Sequence, residues 1–155
     1  MITLEKTPLL LRILLPVLWY GFIFFLTELP YAAGSNTRDT ISEIIEKNQP
    51  GLDTFTIANR INFAFRTSAH FFMFGILANL VYFSLKPDFN FNKRTYWLVV
   101  IVIIGILGGL DEFHQSFKPG RQPRIEDVLI DCSGAVALLF SALWLKCRYL
   151  SKYLN

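Results

Sequence analysis

Ionisable side chains recur at helical spacing in the polar stretches that border long apolar segments of this sequence. Arg66 and His70 are four residues apart, as are Asp127 and Asp131, so each pair lies on one face of a helix. Two carboxylates on one face repel each other unless a cation lies near them. Guanidinium, imidazole and carboxylate groups together suit three kinds of site: a structural ion-pair cluster, a site for an anionic ligand, or a centre for acid–base catalysis.

A further polar stretch covers residues 111–115 and reads Asp-Glu-Phe-His-Gln. Asp111 and His114 are three residues apart and share one face if the helix continues through this stretch. Pro119-Gly120 then predicts a tight turn. Such a turn would place Arg121 over the helix ends, where its planar guanidinium group can bind carboxylate or phosphate.

The candidate ligand-binding site therefore combines nine side chains: Arg66, His70, Asp111, Glu112, His114, Gln115, Arg121, Asp127 and Asp131. If the site is catalytic, a histidine is the natural general base and a guanidinium group can stabilise a developing anion; the candidates are His70, Asp111, Glu112, His114 and Arg121. Histidine and carboxylates are also ligands for a divalent metal. The chain has no H-x-x-x-H or H-E-x-x-H motif, so the sequence requires no cofactor.

Long apolar segments must position these side chains. The chain has 155 residues, of which 53% are hydrophobic and only 17% charged, against roughly 25% charged in soluble domains. Four segments are long and apolar enough to predict transmembrane helices, at about residues 9–29, 66–85, 95–115 and 125–145. We therefore predict an all-α membrane bundle that forms a single domain over residues 1–155.

Two features near the first apolar segment allow more than one interpretation. That segment resembles a signal peptide, but Tyr31 is bulky where a cleavage site needs a small residue, which favours a transmembrane helix. In the following loop, Thr40-Ile-Ser-Glu43 resembles a capping box and predicts a short amphipathic helix at about 40–48, ended by Pro50-Gly51. This helix could pack on the bundle surface or cover a site.

Charge placement predicts the orientation of the bundle. The 15 Lys and Arg residues include several next to helix ends at both termini and in the loop around residues 86–94, so we place both termini in the cytoplasm. These residues flank apolar segments and form no basic face, which argues against nucleic acid as a partner. The bilayer itself is the expected partner, in the cytoplasmic membrane of the cell.

A rise of 1.5 Å per residue gives the depth of three titratable groups within the membrane. His70 lies about 24 Å from Lys86, Asp111 about 26 Å from Arg94, and Asp131 about 22 Å from Lys146. All three distances fall short of the ~30 Å hydrocarbon core. We therefore expect three helices to bring these groups to one layer near the extracytoplasmic surface, where buried ionisable residues pair with one another.

Several of these motifs together resemble the signature of the VanZ-like family of bacterial integral membrane proteins: Arg66-Thr-Ser-Ala-His70, Asp111-Glu112-Phe113-His114-Gln115, Pro119-Gly120-Arg121, Asp127-Val128 and Gly134-Ala135. The resemblance covers nearly the whole chain and implies a four-helix protein of the bacterial cell envelope. The family's namesake is associated with low-level resistance to teicoplanin-type glycopeptide antibiotics. The chain departs from the family pattern at Asp131, where we expect Asn.

Three functional hypotheses follow. The first is a VanZ-like cell-envelope protein whose outward site binds an anionic or peptidic envelope ligand, either lipid-linked, phosphate-bearing or a peptide, with an effect on teicoplanin susceptibility. The second is a membrane-embedded enzyme that acts on a lipid-linked or envelope substrate through histidine and carboxylate chemistry. The third is a purely structural cluster, in which the polar groups only hold the helices together.

Overall fold

The computed structural model describes residues 8–29, 34–51, 53–85, 89, 92–118, 121 and 123–153. These residues form five α-helices and, within the described ranges, no strand. The helices are α1 (Leu9–Glu28), α2 (Gly34–Asn48), α3 (Thr54–Leu85), α4 (Lys93–Gln115) and α5 (Ile125–Tyr153). The all-α prediction is confirmed.

Four of the helices are long and apolar enough to cross a membrane: α1, α3, α4, and α5 as far as Arg148. Large hydrophobic side chains cover their outer surfaces, including Leu18, Val102 and Phe140, each more than half exposed. Such a surface is unfavourable in water and suits a lipid environment. The chain is a multi-pass membrane protein, as the sequence predicts.

The third helix is longer than expected. It begins at Thr54, upstream of the predicted start at residue 66, because Asp53 caps it: the Thr56 backbone N–H donates to Asp53 Oδ1 at 3.1 Å. With 32 residues it is about 48 Å long, which exceeds the ~30 Å hydrocarbon core. Its first turns therefore extend beyond the membrane, and Arg66 lies inside the helix rather than at its start.

The short helix α2 also begins earlier than predicted, at Gly34 instead of residue 40. The Thr40 hydroxyl donates to the Asn36 carbonyl at 2.9 Å, so Thr40 is an interior residue and not the cap that the sequence suggests. The helix ends at Asn48, and Gly51 takes a positive φ of 95° at the predicted break. This end agrees with the prediction from Pro50-Gly51.

The central helix is α3, which contacts all four other helices. Its backbone approaches that of α5 very closely: a Cβ on Gly134 would lie 2.1 Å from the Phe71 carbonyl oxygen, and a Cβ on Gly75 would lie 2.8 Å from the Gly134 carbonyl oxygen. Helix α1 docks through hydrogen bonds that include those from Trp19 Nε1 to the Met73 carbonyl at 2.9 Å and from the Tyr20 hydroxyl to the Leu107 carbonyl at 3.0 Å. This packing brings polar residues of α3, α4 and α5 together at one end of the bundle.

Candidate functional site

A buried polar cluster lies where α3, α4 and α5 meet. Five of its side chains come from α4 and α5 and expose 5% or less of their surface: Asp111, Glu112, Gln115, Asp127 and Asp131. Burial of charged groups is costly unless each has a partner, so their contacts determine what the cluster can do.

Two contacts join α3 to α5 at matching positions along both helices. Arg66 Nη2 lies 3.0 Å from Asp127 Oδ2, and His70 Nδ1 lies 3.0 Å from Asp131 Oδ1. Both helices repeat their polar residues every four positions, so the two pairs lie one helical turn apart. The predicted repulsion between the two aspartates is thus relieved by a separate partner for each. We call these contacts the α3–α5 ladder.

A glycine of α4 leaves space for the contact between His70 and Asp131. A Cβ on Gly108 would lie 2.5 Å from Asp131 Oδ2, so no larger residue fits at that position of α4 without displacing the carboxylate. Asp131 is completely buried as a result. Packing between α4 and α5 therefore fixes the carboxylate that contacts His70.

On α4, the amide of Gln115 links two members of the cluster. Its Nε2 donates to Asp111 Oδ2 at 2.7 Å, and its Oε1 accepts a short hydrogen bond from Arg121 Nη1. Arg121 thus reaches back over the helix end as predicted, although Pro119-Gly120 lies outside the described residues. Partial burial and, secondly, the nearby charge of Arg66 lower the pKa of the Arg121 guanidinium group, which still remains charged.

His70, Asp111 and Glu112 approach one another closely. One potential ligand atom of each lies within 4.8 Å of the other two, which is close enough for the three to share a metal ion. The carboxylate of Glu112 is also held in place by the backbone, because its Oε2 accepts a hydrogen bond from the N–H of Arg124 at 2.8 Å. The convergence of α3 and α4 side chains expected from the helix lengths is present.

The structure places His114 in a different cluster. Its Nε2 lies 2.5 Å from Glu28 Oε1, and Lys118 Nζ donates to Glu28 Oε2 at 2.6 Å. All three side chains are about one-third exposed, on the side of α4 that faces α1. Apart from the charge of Glu28, no feature of the sequence predicts that the end of α1 contacts His114.

A cleft of about 330 Å³ opens beside the polar cluster. Helices α1 and α3 supply most of its wall through apolar side chains such as Ile23, Leu26, Phe65 and Met73, and Thr37 of α2 lies at its edge. Its polar end is formed by Arg66, His70, Asp111 and Arg121. The cleft was not predicted, because its apolar wall depends on how α1 and α3 pack, which periodicity does not reveal.

The comparison with known families agrees with this architecture. The family model described as VanZ/LLP1 matches residues 12–146, which is most of the chain and includes the whole cluster and the cleft. The chain belongs to the VanZ/LLP1 family. Searches of the curated proteins and of the solved structures gave no significant match. The VanZ/LLP1 assignment confirms the resemblance deduced from the motifs, and the chain is thus a VanZ/LLP1 membrane protein.

Proposed function

We propose that this VanZ/LLP1 protein binds an anionic amphiphile of the cell envelope, with the apolar part of the ligand in the cleft and its phosphate or carboxylate group at the polar end. A lipid-linked envelope molecule has this chemistry. The observation that carries the proposal is the cleft itself, whose apolar wall ends at two guanidinium groups.

Two guanidinium groups on the cleft wall are available to contact an anion. Among the described residues, the wall carries the guanidinium groups of Arg66 and Arg121 and the carboxylate of Asp111. Glu112 and the two aspartates of α5 lie outside the wall, although Asp127 contacts Arg66 from behind it. Arginine binds phosphate and carboxylate through two parallel hydrogen bonds, and such charge-assisted bonds are roughly twice as strong as neutral ones. The apolar wall would bury an acyl or isoprenoid chain, at about 25 cal/mol for each Å² removed from water.

The proposed function also requires that the cleft faces the cell envelope. With both termini in the cytoplasm, the cluster lies on the extracytoplasmic side of the cytoplasmic membrane, where envelope precursors are handled. The charge distribution around the helix ends supports this orientation.

Binding is tested with the full chain in nanodiscs of zwitterionic lipid, titrated with dodecyl phosphate. We expect saturable binding that Arg121→Gln weakens by about 10- to 100-fold, because a hydrogen bond to a charged group contributes about 1.5–3 kcal/mol. Arg124→Gln is the matched control, since the Arg124 side chain lies towards Glu126 at 3.6 Å and over Phe63, and only its backbone contacts the cluster. Equal binding by both variants, or uptake that does not saturate, contradicts the proposal.

Membership of the family also leads us to propose an effect on teicoplanin susceptibility. A ligand site at the cell surface offers a route to this effect, through lower binding of the antibiotic at that surface. Expression of the chain in a susceptible bacterium should raise the inhibitory concentration of teicoplanin, and Arg121→Gln should abolish the increase. An unchanged inhibitory concentration for the wild-type chain, at verified expression, contradicts this effect without affecting the binding measurement.

A second candidate function is catalysis on the same ligand, and one contact favours it. Asp131 lies 3.0 Å from Nδ1 of His70 and thereby orients the ring, as in enzymes whose histidine acts as a general base. His70 also lines the cleft, so its other nitrogen can meet a bound ligand. Turnover of a lipid-linked phosphate that is lost in His70→Gln, while dodecyl phosphate still binds, would distinguish an enzyme from a binding protein.

A further inference from the structure

Three groups at the polar end of the cleft have the composition of a metal site. His70 of α3 supplies an imidazole, and Asp111 and Glu112 of α4 supply carboxylates, with one ligand atom of each within 4.8 Å of the others. Zinc bonds of about 2.0–2.2 Å place two ligand atoms roughly 3.4 Å apart, so small side-chain rotations would close these groups around an ion.

Each carboxylate is held by one oxygen and leaves the other for a cation. Asp111 Oδ2 accepts from Gln115 at 2.7 Å, and Glu112 Oε2 accepts from the Arg124 backbone at 2.8 Å. Asp111 Oδ1 and Glu112 Oε1 are buried and have no hydrogen-bond partner within the described part of the chain. A buried carboxylate oxygen without a partner is strongly disfavoured, and coordination to a metal would satisfy both.

The histidine is held in the same way. Asp131 contacts Nδ1 of His70 at 3.0 Å, which leaves Nε2 as the nitrogen available to a metal. Histidines that bind metals commonly contact a carboxylate through their second nitrogen, and this contact fixes the ring and increases its basicity. Asp131 is therefore a positioning residue for His70.

The net charge of the cluster requires compensation. Within the described part of the chain, four carboxylates, from Asp111, Glu112, Asp127 and Asp131, interact with the guanidinium groups of Arg66 and Arg121. With neutral His70, this leaves a formal excess of two negative charges among largely buried groups. Either two protons or one divalent cation would balance it, and the convergence of an imidazole with two half-satisfied carboxylates favours the cation.

We propose that His70, Asp111 and Glu112 bind a divalent transition-metal ion at the polar end of the cleft. Mixed nitrogen and oxygen donors without a thiolate suit Zn²⁺ or Mn²⁺ better than Mg²⁺ or Ca²⁺, which prefer oxygen alone. Three protein ligands leave a coordination position open, and His70 and Asp111 both line the cleft, so this position would be accessible to a phosphate or carboxylate group. Only this last link to the anion depends on the proposed function.

The test uses the full chain in detergent, treated with a chelator and desalted. We then measure bound metal by elemental mass spectrometry and thermal unfolding after addition of Zn²⁺, Mn²⁺, Mg²⁺ or Ca²⁺. We expect about one Zn²⁺ or Mn²⁺ ion per chain and a higher melting temperature, with weaker effects of Mg²⁺ and Ca²⁺.

Glu112→Gln should abolish stoichiometric binding, and Asp131→Asn should weaken affinity by about 10- to 100-fold. Because Asp131→Asn conserves the shape of the side chain, it keeps the test valid if Glu112→Gln does not fold.

His114→Gln is the matched control, since this histidine is about one-third exposed and contacts Glu28 rather than any of the three proposed ligands. The proposal predicts wild-type metal binding for this variant. Metal binding that His114→Gln abolishes, or that Glu112→Gln and Asp131→Asn both leave unchanged, overturns it, as does the absence of stoichiometric binding. If the metal-free chain still binds dodecyl phosphate, the proposed function stands without the metal. If the chain binds the metal but not dodecyl phosphate, the metal site stands without the proposed function.

Discussion

At the scale of single residues, the α3–α5 ladder explains how aspartates can be placed inside a membrane bundle. An ionised side chain at mid-bilayer costs about 2.5–3.5 kcal/mol on insertion scales, so a partner must compensate for it. Arg66 and His70 are those partners, at 3.0 Å each. Most of the stability measured for such a pair is the free-energy cost of leaving one buried charge unpaired when the other member is removed.

We therefore expect Arg66→Leu to destabilise the protein by about 3 kcal/mol, because it leaves the carboxylate of Asp127 buried without its partner. The estimate takes the lower end of the range for buried pairs, since the Arg66 side chain is 23% exposed. The double variant Arg66→Leu/Asp127→Leu should recover most of the loss. Thermal unfolding in detergent measures both changes.

The exposed contact between Glu28 and Lys118 offers the control for this cycle. Exposed ion pairs contribute little, so Glu28→Gln should leave the melting temperature close to that of the wild type. If Arg66→Leu were as harmless as Glu28→Gln, or if the double variant were no more stable than Arg66→Leu, the ladder would not hold α3 to α5.

At the scale of secondary-structure elements, the sequence predicted which segments are helices better than where they begin. Hydropathy located the four membrane-spanning segments. In lipid, the backbone N–H and C=O groups of each segment must form hydrogen bonds within the segment, so a long apolar segment must be helical. The prediction missed the first turns of α3, where polar and apolar residues are mixed and the start depends on the cap from Asp53. It also misassigned Thr40, whose hydroxyl contacts the Asn36 carbonyl. These starts are set by local hydrogen bonds rather than by apolar content.

The close approach of α3 and α5 makes a prediction at this scale. Gly134→Ala should lower stability by about 1–3 kcal/mol, since the added methyl group would lie 2.1 Å from the Phe71 carbonyl oxygen and force the helices apart. Gly109→Ala on α4 is the matched control, because within the described residues no side chain and no backbone of another helix lies within 4 Å of its added methyl group. This control should be neutral or slightly stabilising. Similar effects of the two substitutions on thermal unfolding would show that the two backbones are not in contact.

At the scale of the whole molecule, three helices bring titratable groups together at one end of a membrane bundle. The convergence of His70, Asp111 and Asp131 could be predicted because helix rise and bilayer thickness fix depth along each span. Rotation about each helix axis is not fixed in this way. For that reason the sequence could not show that His114 faces α1, or that α1 and α3 form an apolar cleft beside the cluster.

The proposed orientation makes the main prediction at this scale. Single cysteines are introduced at Ser116 and Lys93, exposed residues at opposite ends of α4, in a chain whose own Cys132 and Cys147 are replaced by alanine. An impermeant maleimide added to intact cells should label position 116, and label position 93 only after the cells are permeabilised. The opposite pattern would place the cluster on the cytoplasmic side.

The occupancy of the cleft is measured most directly by photo-crosslinking in native membranes, with benzoylphenylalanine in place of Phe65 on the cleft wall or Phe140 on the outer surface of α5. Mass spectrometry of the adducts should find, at position 65, a phosphate- or carboxylate-bearing amphiphile that Arg121→Gln removes, while position 140 captures bulk lipids in both backgrounds. The same adducts at both positions, unaffected by Arg121→Gln, would show that the cleft is only a surface groove filled by ordinary lipid.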